Sequence, residues 1–189
     1  MIPFNYLGFI FKSFGSIMYP KKAIDELCIF LHEFSVEKSI LDVGAGTGIM
    51  SEFAHRCNSK LRYVAVDPAE GMLKYAPDYV ETHMAEAESL PFKDDSFDAI
   101  LMGEAIHHFR DPDIALKEAV RVLKKNGKLF IYDFDLNTFR GRSICMIEKM
   151  LGEPGNFYEA ASLAKVLEGH GFSVEVSCHG WRYTLRASL

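Results

Sequence analysis

The chain has 189 residues, a net charge of −5, 49% hydrophobic residues and 25% charged residues. These values fit one globular domain that buries its own core. No uncharged apolar run is long enough for a spanning helix, so we expect no stable membrane insertion. Lys and Arg form no concentrated tract, so we expect no binding of nucleic-acid phosphates.

The N-terminal apolar stretch lacks a basic start and a small-residue cleavage site, which argues against a secretory signal. The cysteines are scattered and form no CxxC pair. We therefore expect reduced thiols rather than disulfides, no metal site and a cytoplasmic location. The four cysteines are Cys28, Cys57, Cys145 and Cys178.

Short runs rich in Val, Ile and Phe alternate with segments of helical period. Apolar residues at helical spacing predict helices on both sides of the first strand. A third helix is predicted over Asp113–Lys125, with Asp111 as its cap and Asn126 and Gly127 as its end. Strands are predicted at residues 39–43, 61–66, 80–85, 97–102 and 128–134, followed by a helix at 158–168 and a hairpin of 172–177 and 181–186.

Strands separated by helices imply βαβ units with right-handed crossovers. We predict a single domain over residues 1–189, with an N-terminal helical extension (residues 1–36) and an insertion (residues 137–157). Both added segments are rich in apolar side chains and are candidate lids over an apolar or aromatic ligand. An equal alternative for the first segment is that it covers one sheet face or pairs two subunits in a homodimer.

A glycine-rich turn follows the first predicted strand, in the sequence Asp42-Val43-Gly44-Ala45-Gly46-Thr47-Gly48. Such a turn lets a ligand approach the backbone and the N–H groups of the next helix. A dinucleotide site requires G-x-G-x-x-G, and the third glycine comes one residue early here. A P-loop is excluded because no Gly-Lys-Ser/Thr follows. The acidic Asp42 favours a nucleoside cofactor that carries a cationic group.

The turn resembles the D-x-G-x-G-x-G motif of class I S-adenosylmethionine-dependent methyltransferases. The resemblance is greatest to the small-molecule branch that includes the ubiquinone/menaquinone-biosynthesis enzymes. Four further blocks of that family follow in order over about half of the chain. They are residues 64–73, 86–92, 97–109 and 121–129.

This resemblance implies a Rossmann-like α/β fold: a seven-stranded, mostly parallel sheet with an antiparallel last strand and helices on both faces. It also implies S-adenosyl-L-methionine as cofactor, with S-adenosyl-L-homocysteine as product. Asp42 would face the ammonium group, Asp67 the ribose hydroxyls, and Glu86 with the N–H of Ala87 the adenine. The implied cofactor-binding residues are Asp42, Gly44, Ala45, Gly46, Asp67, Pro68, Met72, Glu86, Ala87 and Gly103.

The sequence departs from the family pattern at two of these positions. Glu86 stands where Asp is commoner, and its extra methylene leaves the adenine contact open to a shift. Asn126 stands where the family usually has Pro. Asn tolerates a left-handed turn, so we expect no functional consequence there.

The catalytic residues are not fixed by the sequence. Candidates follow the fourth and fifth predicted strands, because carboxyl ends near the switch point of such a sheet hold ligands. Asp133 is the slightly preferred polar pocket residue, whereas His107 and His108 fit a packing or helix-start role better than that of a general base. The candidates are Glu104, His107, His108, Tyr132, Asp133 and Asp135.

The sequence therefore predicts methyl transfer from S-adenosylmethionine to a small-molecule acceptor by in-line displacement. The leading alternative is a non-catalytic partner subunit that binds the same cofactor, and a nicotinamide dehydrogenase is a distant third. The acceptor, the atom that is methylated, the use of a general base and the oligomeric state are left open, because this fold hosts many substrates.

Overall fold

The structure is a computed structural model that describes residues 12–13, 19–152 and 154–189. Its strands are β1 (Ser39–Val43), β2 (Arg62–Asp67), β3 (Val80–Met84), β4 (Phe97–Gly103), β5 (Leu123–Phe134), β6 (Ser173–Cys178) and β7 (Arg182–Ser188). Its helices are α1 (Lys21–His32), α2 (Ile49–Cys57), α3 (Glu70–Leu73), α4 (Pro112–Val122), α5 (Phe139–Met150) and α6 (Ala160–Gly169), with a 3-10 turn at Ile106–His108.

The seven strands form one sheet in the order β3-β2-β1-β4-β5-β7-β6. The first five strands along the chain are parallel to one another. The last strand, β7, lies between β5 and β6 and is antiparallel to both. The predicted seven-stranded, mostly parallel sheet with an antiparallel last strand is confirmed.

Apolar side chains cover both faces of the sheet. On one face, α1 and α2 pack with Leu31 and Ala54 against the buried side chains of the central strands. On the other face, α4 and α6 pack with Leu116 and Leu163 against the opposite side of the same strands. Because both faces are covered, the central strands are almost continuously apolar, as expected for a parallel sheet.

The end of α4 differs from the sequence prediction. Asp111 caps the helix as predicted, accepting from the N–H groups of Asp113 and Ile114 at 3.1 Å each. The helix ends at Val122 rather than Lys125, and Leu123 already pairs with Phe97 in the sheet. This tertiary pairing outweighs the helix propensity of the lysines that follow. Asn126 adopts a left-handed conformation with φ of 62°, as predicted for that turn.

A disulfide joins Cys28 of α1 to Cys57 of α2, whose Cα atoms are 4.8 Å apart. The prediction of four reduced thiols is therefore wrong, although Cys145 and Cys178 are free. The two bonded cysteines are 29 residues apart, and they meet only because α1 and α2 lie side by side on one sheet face. The prediction of a cytoplasmic location rested in part on reduced cysteines, and the disulfide removes that support.

The two candidate lids are described to different extents. Most of the apolar N-terminal segment lies outside the described residues. The structure describes it only at residues 12–13 and from Tyr19 onward. The insertion forms α5, whose Gly141 and Cys145 are buried. No helix within the described part of the chain has the length and apolar character needed to cross a membrane.

Reduction of the Cys28–Cys57 bond is expected to lower the free energy of unfolding by about 3 to 4 kcal/mol, because the bond closes a long loop in the unfolded chain. Urea unfolding of the Cys28→Ser/Cys57→Ser variant measures this difference. Cys178→Ser is the control, because Cys178 is exposed and unpaired. An unchanged midpoint in the double variant would contradict the stabilising role.

Candidate functional site

The glycine-rich turn directly follows β1 and is hydrogen-bonded to the neighbouring strand β2. The N–H groups of Gly44 and Ala45 donate to the carbonyl of Val66 in β2 at 2.9 and 3.0 Å. Gly44 has φ of 70°, and a Cβ on it would lie 2.7 Å from the Cβ of Ala105. Both the backbone angle and the close packing therefore require glycine at this position.

The carboxylate of Asp67, at the end of β2, links the glycine-rich turn to the loop that follows β2. One oxygen accepts from the N–H of Gly46 and the other from the N–H of Ala69, both at 2.8 Å. Burial raises the pKa of Asp67 more than these two bonds lower it, and Glu86 raises it further. Each carboxylate oxygen has more than one acceptor position, so a diol can still donate to this group.

Asp42 lies beneath the turn and is 1% exposed. One of its oxygens accepts from the N–H of Ser51 at 3.0 Å and from the hydroxyl of Ser51 at 2.6 Å. No described residue donates to its other oxygen, Oδ1. Burial raises the pKa of Asp42 to about 7 despite the two bonds from Ser51. A buried carboxylate oxygen with no donor is costly, so it suits a cationic ligand group.

The predicted adenine side of the site follows β3. Ala87 and Met72 are buried, and the Cε of Met72 is 3.3 Å from the place of a Cβ on Gly46. Glu86 forms an ion pair with Arg110 at 3.0 Å, in a half-exposed position. The structure thus brings Met72 to the glycine turn, whereas the carboxylate of Glu86 already has a partner. Of the remaining predicted residues, Pro68 is exposed beside Asp67.

The end of β4 meets the N-terminal extension. A Cβ on Gly103 would lie 2.7 Å from the hydroxyl oxygen of Tyr19 and 2.6 Å from the Cε of Met50. The Tyr19 ring lies 4.9 Å from the ring of Tyr132 in β5. Burial, and then the negative charge of Glu104, hold the pKa of Tyr19 well above its ordinary value. One residue of the candidate lid therefore reaches the edge of the site.

Glu104 directly follows β4 in a left-handed conformation with φ of 52°. Such a conformation is uncommon for a non-glycine residue and is frequent at functional sites. Its N–H donates to the carbonyl of Tyr132 at 2.7 Å, and its carboxylate pairs with Arg182 of β7 at 2.8 Å. Burial raises the pKa of Glu104 to about 7, with Arg182 opposing the rise.

His107, in the 3-10 turn after β4, forms a buried pair with Asp133 of β5. The Nδ1 of His107 lies 2.7 Å from an oxygen of Asp133, and its Nε2 lies 3.6 Å from an oxygen of Glu148. Burial opposes a charge on His107, but Asp133 and then Glu148 outweigh it and raise the pKa of the imidazole. Burial and the neighbouring His107 lower the pKa of His108 to about 3.

Asp135 hydrogen-bonds to the backbone of the loop that follows β5. It accepts from the N–H of Asn137 at 2.9 Å and so forms the turn that leads to α5. The residues that the sequence analysis did not single out are Ser51, Arg110, Glu148 and Arg182. Each meets its partner through tertiary packing, so no local sequence signal marks it.

Comparison with known proteins agrees with this geometry. A family profile described as "Methyltransferase domain" matches residues 41–131. A demethylmenaquinone methyltransferase of Renibacterium salmoninarum is 39% identical over 104 residues, which are 53% of this chain and 43% of the relative. Residues 41–131 therefore carry a methyltransferase domain of the class I S-adenosylmethionine-dependent family.

Two further similarities extend this family assignment. An uncharacterized methyltransferase of Bacillus subtilis, YcgJ, is 35% identical over 119 residues, covering 57% of this chain and 45% of the relative. A Thermotoga maritima structure, described as a possible histamine N-methyltransferase, superposes with a TM-score of 0.76 and 26% identity over 98% of this chain and 97% of its own. This chain spans about half the length of the curated relatives it matches.

The raised pKa of Asp42 gives the site a pH dependence. An ammonium group binds the ionised carboxylate, so the affinity for S-adenosylhomocysteine is expected to rise about tenfold between pH 6 and pH 8, through the pKa of about 7. Calorimetric titration at several pH values measures this. Methylthioadenosine, which lacks the amino-acid part with its ammonium group, is the control for groups that titrate around the nucleoside. Equal pH profiles for the two ligands would contradict the role of Asp42.

Proposed function

We propose that the chain binds S-adenosylmethionine across the carboxyl ends of β1, β2 and β4, and transfers its methyl group to a small-molecule acceptor. The observation that carries this proposal is the pair of carboxylates on either side of the glycine turn, of which Asp42 is buried and Asp67 partly buried. Asp67 fastens the turn and keeps acceptor positions for a diol. Asp42 has one buried oxygen without a donor among the described residues.

The residues present fit this cofactor group by group. Asp67 would hold the ribose hydroxyls and Asp42 the ammonium group. The turn at Gly44 and Gly46 would leave room for the part of the cofactor that joins these two groups. Met72 would pack against the adenine, since it is buried and close to Gly46. Glu86 would reach the adenine only by sharing or leaving its ion pair with Arg110.

The bound cofactor would supply an electrophilic methyl group on a sulfonium, so the protein needs mainly to position the acceptor in line with it. Glu104, Tyr19 and Tyr132 are the groups that the fold brings to the ends of β4 and β5. Glu104, with a pKa of about 7, is tuned to take a proton near neutral pH, and Arg182 fixes its direction.

The acceptor we propose is a small aromatic compound. The support is the aromatic character of the strand ends, where the rings of Tyr19 and Tyr132 lie 4.9 Å apart. Two similar proteins carry names that refer to a ring compound, demethylmenaquinone for one and histamine for the other. A first acceptor panel therefore contains reduced prenylated quinones, phenols and imidazole amines.

Parallel calorimetric titration with S-adenosylmethionine, S-adenosylhomocysteine and NAD tests cofactor binding. We expect saturable binding of the two adenosyl compounds and none of NAD. Asp67→Asn is expected to weaken binding at least tenfold, because an amide has one oxygen in place of two acceptors. Asp78→Asn is the matched control, because Asp78 is exposed. Binding of NAD alone, or equal binding by both variants, would overturn the cofactor assignment.

Formation of S-adenosylhomocysteine with the acceptor panel separates an enzyme from a non-catalytic partner subunit. Turnover that Glu104→Gln reduces, while cofactor affinity is kept, would support the proposed positioning. Tight cofactor binding without turnover on any acceptor would favour the non-catalytic alternative.

A further inference from the structure

Three potential metal ligands converge where the insertion meets the sheet. His107 and His108 come from the 3-10 turn after β4, and Glu148 comes from α5. One ligand atom from each residue lies within 4.8 Å of the other two. These side chains belong to segments about 40 residues apart in the chain, so their convergence is a product of the tertiary structure.

The spacing of His107 and Glu148 suits a bridging cation better than a direct hydrogen bond. The Nε2 of His107 is 3.6 Å from the carboxylate oxygen of Glu148, which is beyond hydrogen-bonding distance. Two ligands of a tetrahedral zinc ion, each at about 2.1 Å from the metal, are about 3.4 Å apart. The His107–Glu148 separation is therefore close to what such an ion would impose.

The orientation of His107 is set by a carboxylate on its other side. Asp133 accepts from Nδ1 at 2.7 Å, which directs Nε2 toward Glu148. Metal-bound histidines characteristically donate their second ring N–H to a carboxylate in this way, which fixes the tautomer and the ring. The stacked ring of Phe157, 4.3 Å away, holds the imidazole further in place.

We propose that His107, His108 and Glu148 bind a divalent transition-metal ion of the zinc class, with Asp133 as the carboxylate behind His107. Two imidazoles and one carboxylate are a ligand set that zinc uses in proteins. This inference departs from the prediction of no metal site, which rested on the absence of clustered cysteines. It does not depend on the proposed methyl transfer.

The position of the site gives the ion a structural consequence. Glu148 lies in the last turn of α5, whereas His107 and His108 lie immediately after β4. In α5 only Gly141 and Cys145 are buried, so few apolar contacts hold the helix. A metal ion at this point would fasten the insertion to the strand end from which the candidate residue Glu104 projects.

The test is zinc binding by tag-free protein. The protein is first stripped of metal with a chelator and is then given zinc. We expect about one zinc ion per chain, measured by elemental analysis after gel filtration and by competition with a chromophoric chelator. Glu148→Gln is expected to weaken the affinity at least tenfold. His108→Asn, a second variant, is expected to weaken it to a similar extent.

The matched control is Glu81→Gln, because Glu81 forms a surface pair with His83 at 2.7 Å and reports adventitious zinc binding. Each variant is checked by circular dichroism and by its affinity for S-adenosylhomocysteine, so that a folding defect or failure of the cofactor site is recognised separately. Absence of zinc from the wild-type chain, or equal affinity in Glu148→Gln and the wild type, would overturn the proposal.

Discussion

The central constraint of this structure is the position of β1, which is hydrogen-bonded in parallel to β2 on one side and β4 on the other. The chain leaves β1 toward one face of the sheet and leaves β4 toward the opposite face, so a crevice opens between their carboxyl ends. The glycine turn occupies this crevice and is tied to Val66. The candidate cofactor contacts at Asp42, Gly44, Gly46 and Asp67 are arranged around this opening.

The same edge gathers several buried or partly buried carboxylates, and each has its own partner. Asp42 accepts from Ser51, Asp67 from backbone N–H groups, Glu104 pairs with Arg182, and Asp133 pairs with His107. A buried charge is tolerated only when it is paired or hydrogen-bonded. These separate partners let the fold concentrate acidic groups at one edge of the sheet.

Ties between distant segments complete the architecture. The Cys28–Cys57 disulfide links α1 to α2, and the ion pair of Glu104 with Arg182 links the end of β4 to the last strand. The proposed metal site would add a third tie, between the 3-10 turn and α5. Each lies on an element that flanks the crevice, so the same ties that stabilise the fold also limit how the site can move.

The sequence by itself determined the strand and helix order, the glycine turn and the family, because these depend on local periodicity and on motifs of neighbouring residues. The cap of Asp111 and the left-handed Asn126 were predictable for the same reason. The early end of α4, the disulfide and the partners of the acidic residues were decided by the tertiary structure. Pairing of Leu123 with Phe97 overrode local helix propensity, and Ser51, Glu148 and Arg182 reach the site from segments that only packing brings together.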